Sequence, residues 1–80
     1  MNSYIATFHT HLSAMLTCRT LTGMGLDARM SPVPRQLSSS CGTCVYYTAS
    51  DPALEHLDED TEAVYRQTAD GYELIWEENA

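Results

Sequence analysis

The amino-acid sequence predicts an α+β fold: a single ferredoxin-like βαββαβ domain whose antiparallel sheet carries two helices on one face. Two observations lead to this prediction. The 80 residues suffice for one domain but not two, and a hydrophobic content of 44% is ordinary for a globular chain. Strand-like and helix-like segments follow one another as strand, helix, strand, strand, helix, strand, which is the order of the split βαβ arrangement. We therefore treat residues 1–80 as one domain.

The first half of the chain contains three predicted strands and one helix. The β-branched and aromatic run Tyr4–Phe8 is typical of a strand. Thr10 is a suitable N-cap for a helix that extends to about Gly23. A second strand covers Leu26–Ser31 and ends at the prolines that follow, and a third covers Cys44–Thr48. The residues expected on the buried face of the helix are Ala14, Met15, Cys18 and Leu21.

The second half is predicted to form the second helix and the last strand. Ser50 or Asp51 followed by Pro52 is typical of a helix start. The acidic cluster at 58–60 is a point where this helix could break into two pieces, and Tyr72–Glu77 alternates as an edge strand. The residues that recur at helical spacing are Leu54, Leu57, Thr61, Val64, Tyr65 and Thr68.

The charge of the chain is negative and unevenly distributed. The net charge is −7, there is no lysine, and residues 51–80 hold ten carboxylates against Arg66 alone. Proteins that bind nucleic acid need cationic side chains to replace phosphate counterions, so we expect no nucleic acid partner. Anionic membrane surfaces are disfavoured for the same reason. Two interpretations of the acidic half stay open: a solvated face, and a docking surface for a basic partner.

The cysteine count bears on the compartment. Three cysteines, no long apolar run and a start that passes from Met1-Asn2 directly into a strand predict a cytoplasmic protein with reduced thiols. We expect no cofactor. We also expect no metal, because structural zinc needs four ligands and the chain offers one C-x-x-C pair, with His9 and His11 awkwardly spaced beside it.

A long loop ahead of the third strand contains Cys41, the candidate reactive thiol. The loop takes about ten residues where ~2–5 usually suffice, an excess typical of functional loops. Arg35 supplies a permanent positive charge, and the hydroxyls of Ser39 and Ser40 are possible hydrogen-bond donors to the sulfur. Gly42 allows a close backbone approach or a positive φ. These surroundings favour a thiolate that acts as nucleophile or sulfur carrier.

The topology also predicts the neighbours of this loop. In the ferredoxin-like arrangement the third strand lies beside the first, and the link between strands two and three lies at the end of the sheet where strand one enters the first helix. We therefore expect Cys41 to lie close to His9-Thr10-His11 and to the first turn of the helix.

The same loop resembles the Se/S carrier protein-like family. The most telling matches are Pro34-Arg35 and Ser39-Ser40-Cys41-Gly42 at this spacing, and weaker ones cover Tyr4–His9, Ala14-Met15 and Gly25–Arg29. The resemblance implies that Pro34, Arg35, Ser39, Ser40, Cys41 and Gly42 form the site. It implies a carrier rather than an independent enzyme, with Cys41 holding sulfur or selenium as a persulfide-type group. The partners would be a donor protein of the desulfurase type and an acceptor protein.

The pair Cys41 and Cys44 supports an alternative. A disulfide across the Gly42-Thr43 turn would make the chain a redox-sensing or interaction module, and Cys44 could also release sulfur bound to Cys41. Cys44 enters a strand rather than a helix, which is not the context of a thioredoxin motif. It also lies outside the pattern of the family that the loop resembles. We nevertheless include Cys44 beside Cys41 among the candidate reactive residues.

Overall fold

The computed structural model describes residues 1–78, so Asn79 and Ala80 of the predicted domain lie outside the described residues. All neighbouring strands are antiparallel and form one sheet in the order β2-β3-β1-β4-β5. The elements in chain order are β1 (Asn2–Phe8), α1 (His11–Gly23), β2 (Asp27–Pro32), β3 (Thr43–Ala49), a 3₁₀ helix (Leu54–His56), β4 (Thr61–Thr68) and β5 (Gly71–Glu77).

The predicted ferredoxin-like fold with two helices is wrong, because the second helix does not form. Its first part is only the 3₁₀ helix Leu54–His56, and its second part is strand β4, which pairs with β1. Thr61, Val64, Tyr65 and Thr68 recur at helical spacing, but β-branched and aromatic side chains favour a pleated strand, and here this preference prevails. The Asp58–Asp60 segment forms a turn, in which the Thr61 N–H donates to the Asp58 carbonyl, so no helix continues through it.

One face of the sheet and α1 enclose the main core. Tyr4, Phe8, Val45, Tyr47 and Val64 alternate along β1, β3 and β4 and are almost fully buried there. The Thr10 hydroxyl accepts from the Ser13 N–H at 3.1 Å, which confirms Thr10 as the N-cap of α1. Within residues 1–78 no helix has the length and apolar character needed to span a membrane.

The buried stripe of α1 differs from the predicted one. The residues of α1 that are buried are Ser13, Ala14, Thr17 and Leu21. Met15 and Cys18, which were also expected there, are only half-buried. The reason is that the Ser13 hydroxyl donates to the Asp58 carboxylate and the Thr17 hydroxyl accepts from the Asp58 N–H, so the helix turns polar side chains toward the 57–60 segment.

Among the described residues, no helix packs on the other face of the sheet. Ile5 and Cys44 are nevertheless fully buried on that face. Tyr46 lies opposite Ile5, and the Arg29 guanidinium stacks over the Tyr46 ring at 4.7 Å. Long side chains of the sheet itself therefore shield this face from water.

Strand β5 is largely exposed to solvent. The helix α1 packs against β1, β2 and β3, so the hairpin of β4 and β5 extends the sheet beyond the helix. Leu74, Ile75 and Trp76 are 47%, 36% and 37% exposed in consequence.

Candidate functional site

The loop that carries Cys41 lies where the topology predicts. The Val33 N–H donates to the Gly42 carbonyl at 3.1 Å and closes the neck of the loop. Strand β3, which follows the loop, pairs with β1, so the loop meets the end of β1 and the start of α1. The Ser40 hydroxyl is 3.5 Å from His9 Nδ1, and His11 Nδ1 is 3.3 Å from the Thr43 hydroxyl. Contacts with both histidines confirm the expected neighbourhood.

Two serines fix the loop to the sheet. The Ser39 hydroxyl donates to the Phe8 carbonyl at 2.8 Å. The Ser40 N–H and hydroxyl donate to the two carboxylate oxygens of Glu62 at 3.0 and 2.7 Å. The two residues before Cys41 are thus held by β1 and by β4. We call the contacts between Ser40, Glu62 and His9 the carboxylate latch.

A β-bulge aims Glu62 at the loop. Thr7 pairs with Ala63, but Phe8 pairs with Thr61, so Glu62 is an extra residue in β4. Bulges of this kind turn a side chain out of the regular alternation of a strand. The irregularity in β4 is therefore the structural reason that a carboxylate from the acidic half reaches the Cys41 loop.

The electrostatics of Glu62 favour its ionised form. Partial burial opposes ionisation, but the hydrogen bonds from the Ser40 hydroxyl and N–H, together with the nearby Ser39 hydroxyl and His9, outweigh it. Together they hold the pKa of Glu62 below its usual range. In the carboxylate latch, the charged Glu62 side chain therefore accepts both hydrogen bonds that Ser40 donates.

His9 connects two carboxylates. Its Nδ1 lies 3.3 Å from Glu62, and its Nε2 contacts Glu78. Each of the three residues offers a ligand atom within 4.8 Å of the others. However, the carboxylates contact opposite nitrogens of one imidazole ring, which is a hydrogen-bonded chain, whereas a chelate would direct its donors at one point.

Cys41 is half-buried and rests against the core. Its thiol donates to the Thr43 carbonyl at 3.5 Å, and its sulfur is 3.9 Å from the Ser39 hydroxyl. The hydroxyl protons of Ser39 and Ser40, which the sequence suggested as donors to the sulfur, go to Phe8 and Glu62. In this arrangement the serines position the loop, and the sulfur retains a partly exposed side.

Arg35 and Gly42 occupy the two ends of the loop. Arg35 lies at the exposed corner of a turn that the Leu37 N–H closes on the Pro34 carbonyl at 3.0 Å. Among the described residues its guanidinium makes no hydrogen bond or ion pair. Gly42 has φ of 74°, the left-handed conformation that glycine adopts without strain. That turn brings the chain from Cys41 into β3.

Cys44 differs from Cys41 in its burial and its contacts. Its side chain is fully buried on the face away from α1, between Thr7 and Ser31, and its thiol contacts the Pro32 carbonyl at 3.7 Å. Burial raises the pKa of Cys44 to about 11; the charge of Arg29 opposes this effect, and the neighbouring Cys41 adds to it. Cys41, by contrast, is only half-buried and packs against the core that the sheet forms with α1.

The main site residue that the sequence did not reveal is Glu62. The sequence groups it with the acidic half, solvated or docking, because the spacing in 61–68 predicts a helix. Had β4 been recognised as a strand beside β1, a carboxylate opposite the end of Tyr4–Phe8 would have been a candidate neighbour of the loop. The sequence predicts that His9 lies near Cys41, but the contact of His9 with Glu78 at the end of β5 carries no sequence signal.

These observations define a class of protein: a small domain of one helix and one antiparallel sheet that presents a single half-exposed thiol on a braced loop. The family model described as "Putative Se/S carrier protein-like" matches residues 3–66, well over half of the chain and all of the Cys41 loop. The chain belongs to this family.

A curated relative is uncharacterized. The chain is 31% identical over 48 residues to "Uncharacterized protein YtiA" of Escherichia coli (strain K12), a match that covers 60% of this chain. The same match spans 56% of that protein, so the chain corresponds to a little over half of its relative. No solved structure matches the chain.

Proposed function

We propose that the domain carries sulfur or selenium as a persulfide-type group on Cys41 and passes it to an acceptor protein. The observation that carries this proposal is the placement of Cys41: half-exposed, and preceded by two serines anchored to β1 and β4. A carrier needs a thiol that a partner's sulfur can reach and that returns to one position after each transfer. Membership of the Se/S carrier-like family supports the proposal.

The transfer step requires only exchange between sulfurs. The Cys41 sulfur loses its proton, leaves the Thr43 carbonyl and attacks the outer sulfur of a persulfide on the donor protein. A new S–S bond forms on Cys41 while the S–S bond of the donor breaks. Its electron pair goes to the donor cysteine, which takes up the proton. No external oxidant or reductant is consumed, and the selenium analogue follows the same balance.

The residues around Cys41 have positioning roles in this proposal. Ser39 and Ser40 hold the loop, and Gly42 supplies the left-handed turn that aims Cys41 away from β3. Arg35 sits on the exposed side of the loop, where its charge attracts an approaching anionic persulfide. The donor is a desulfurase-type protein, and donor and acceptor both approach from the solvent side.

The alternative, a redox-sensing or interaction module that uses Cys41 with Cys44, finds less support in the geometry. A disulfide requires the two Cβ atoms to lie about 3.5–4.5 Å apart and to point toward one another. Cys44 is fully buried on the face away from α1, and its position is fixed by pairing with both β1 and β2. A thiol that is fully buried and whose pKa is raised to about 11 is a poor nucleophile, so we favour a carrier with one working thiol.

Intact-mass analysis tests the proposal. The reduced protein is incubated with sodium polysulfide and weighed before and after treatment with a thiol reductant. The native chain should gain one sulfur atom that the reductant removes, and Cys41→Ser should gain none. Cys18→Ser is the matched control, because Cys18 is also half-buried, and it should load like the native chain. The carrier proposal fails if Cys41→Ser gains as much sulfur as the native protein.

A further inference from the structure

An open groove lies between the 54–59 segment and strand β5. We call it the acidic groove. It has a volume of about 230 Å³, and its lining residues are Leu54, Leu57, Asp58, Glu59, Thr61 and Trp76. Leu54 and Trp76 are 38% and 37% exposed, so apolar surface is left in contact with water at the groove. Exposed apolar side chains with a polar rim are typical of a protein interaction site.

The acidic groove adjoins the Cys41 loop. Thr61, which lines the groove, pairs with Phe8 at the end of β1. The next residue, Glu62, holds Ser40, and Ser40 precedes Cys41. Groove, latch and thiol therefore follow one another along the same end of the sheet. A partner protein whose segment binds in the groove would therefore have the rest of its fold next to Cys41.

The charge around the groove limits what can occupy it. Asp58 and Glu59 line it, and they belong to a half of the chain with ten carboxylates and one arginine. That arginine, Arg66, is already paired with Glu73. A nucleic acid or an anionic lipid surface would be repelled, and a second copy of this chain brings a net charge of −7 of its own. Charge complementarity favours a cationic occupant.

We infer that the acidic groove docks a segment of a partner protein that presents basic side chains beside an apolar one. The apolar side chain packs on Trp76 and Leu54, and the basic side chains face Asp58 and Glu59. This inference rests on the proposed function in one respect: it identifies the partner as the donor of the group on Cys41. Binding by the groove itself requires no loaded thiol.

Trp76 provides a direct measurement, because it is the only tryptophan of the chain and it lines the groove. The probe is a short synthetic peptide that alternates arginine with leucine, and the control peptide alternates glutamate with leucine. The basic peptide should shift the Trp76 emission to shorter wavelength in a saturable manner that weakens with added salt. The acidic peptide should leave the emission unchanged. An equal response to both peptides, or no response to the basic one, overturns the inference.

Charge-reversal variants locate the binding. Glu59→Lys should weaken the basic peptide about three- to tenfold, since it replaces a favourable exposed charge pair by a repulsion. Asp70→Lys makes the same change of net charge at the turn between β4 and β5, at the far end of the hairpin, and should have less than a twofold effect. Equal weakening by both variants would mean non-specific attraction, and the inference would be wrong.

A competition experiment separates this inference from the proposed function. The basic peptide should slow the loading of Cys41 by a desulfurase-type donor enzyme but not by sodium polysulfide, which needs no docking. If Cys41 loads from the enzyme at the same rate with and without peptide, the acidic groove is not the docking site although the carrier function stands. If the peptide binds but Cys41 loads from neither source, the proposed function fails.

Discussion

Replacing Glu62 by glutamine should release the Cys41 loop without unfolding the domain. Glu62 accepts two hydrogen bonds from Ser40, at 3.0 and 2.7 Å, and glutamine keeps the size of the side chain but only one carbonyl acceptor and no charge. Hydrogen bonds to charged groups contribute about 1.5–3 kcal/mol each when buried. Ser40 is exposed, so we reduce that figure for solvent screening and expect a loss of about 1–2 kcal/mol.

This loss is measurable as local opening. A change of about 1–2 kcal/mol raises the population of the open loop roughly 5–30-fold. Amide hydrogen exchange followed by NMR should therefore show Ser40 exchanging faster by this factor in Glu62→Gln. The control is Glu55→Gln, an exposed carboxylate whose contact is with His56, which should leave the rate unchanged. If Ser40 exchanges equally fast in the native protein and in Glu62→Gln, the latch does not hold the loop.

The latch should also respond to acid with a defined sign. The folded pKa of Glu62 is lowered, so its stabilising contribution is complete above the ordinary pKa of glutamate, about 4.3, and is lost as the pH falls through the folded value. After correction for intrinsic exchange, protection of Ser40 should fall on acidification below about pH 4.3 in the native protein. In Glu62→Gln this acid-dependent step should be absent, and its persistence would assign it to another group.

Three further substitutions test the fold around the site, each measured by urea unfolding. Burial raises the pKa of Cys44 to about 11, so the contribution of the neutral thiol to the free energy of unfolding is complete below the ordinary thiol pKa of about 8.5. The free energy of unfolding should then decline by roughly 1–2 kcal/mol between about pH 8 and pH 10. Cys44→Ala should lack this decline. Gly42→Ala should cost about 1–2 kcal/mol of stability because its φ is left-handed at 74°. Gly23→Ala, at the end of α1 with φ in the normal range, should be neutral or stabilising. Equal effects of the two substitutions would contradict the left-handed turn. Val64→Ala should cost about 2–3 kcal/mol because Val64 is fully buried in the core, while exposed Gln67→Ala on the same strand should stay within about 0.5 kcal/mol. A similar cost for both would argue against β4 as a core strand.

Most elements could be predicted because local pattern and tertiary environment agree in them. Tyr4–Phe8 is β-branched and aromatic and lies at the centre of the sheet. Thr10 caps a helix that ends near Gly23, where the sequence placed its end. The boundaries of β2 and β3 fall within two residues of the predicted ones.

Strand β4 could not be predicted in the same way, because two local signals in residues 61–68 disagree. The apolar positions recur at helical spacing, whereas the composition favours a strand, and only pairing with β1 decides between them. In the structure β4 takes the place beside β1 and β5 extends the edge, so the chain crosses from β3 to β4 through the 50–60 segment without a second α-helix.

The site was predictable in its location but not in its contacts. Strand order alone placed Cys41 near His9, because the third strand had to lie beside the first. The pairing of Ser40 with Glu62 depends on a bulge that shifts one residue of β4 out of register. A single-residue shift of this kind leaves no pattern in the sequence. The hydroxyls of Ser39 and Ser40, which were expected to donate to the sulfur, donate instead to Phe8 and Glu62.

The central claim is that one thiol, Cys41, receives the cargo. The most direct test is to charge a desulfurase-type enzyme with radioactive cysteine and measure the labelled sulfur that passes to this domain on a non-reducing gel. We predict reductant-labile label on the native chain and on Cys44→Ala, and none on Cys41→Ser. Label that persists on Cys41→Ser would place the cargo elsewhere and contradict the account.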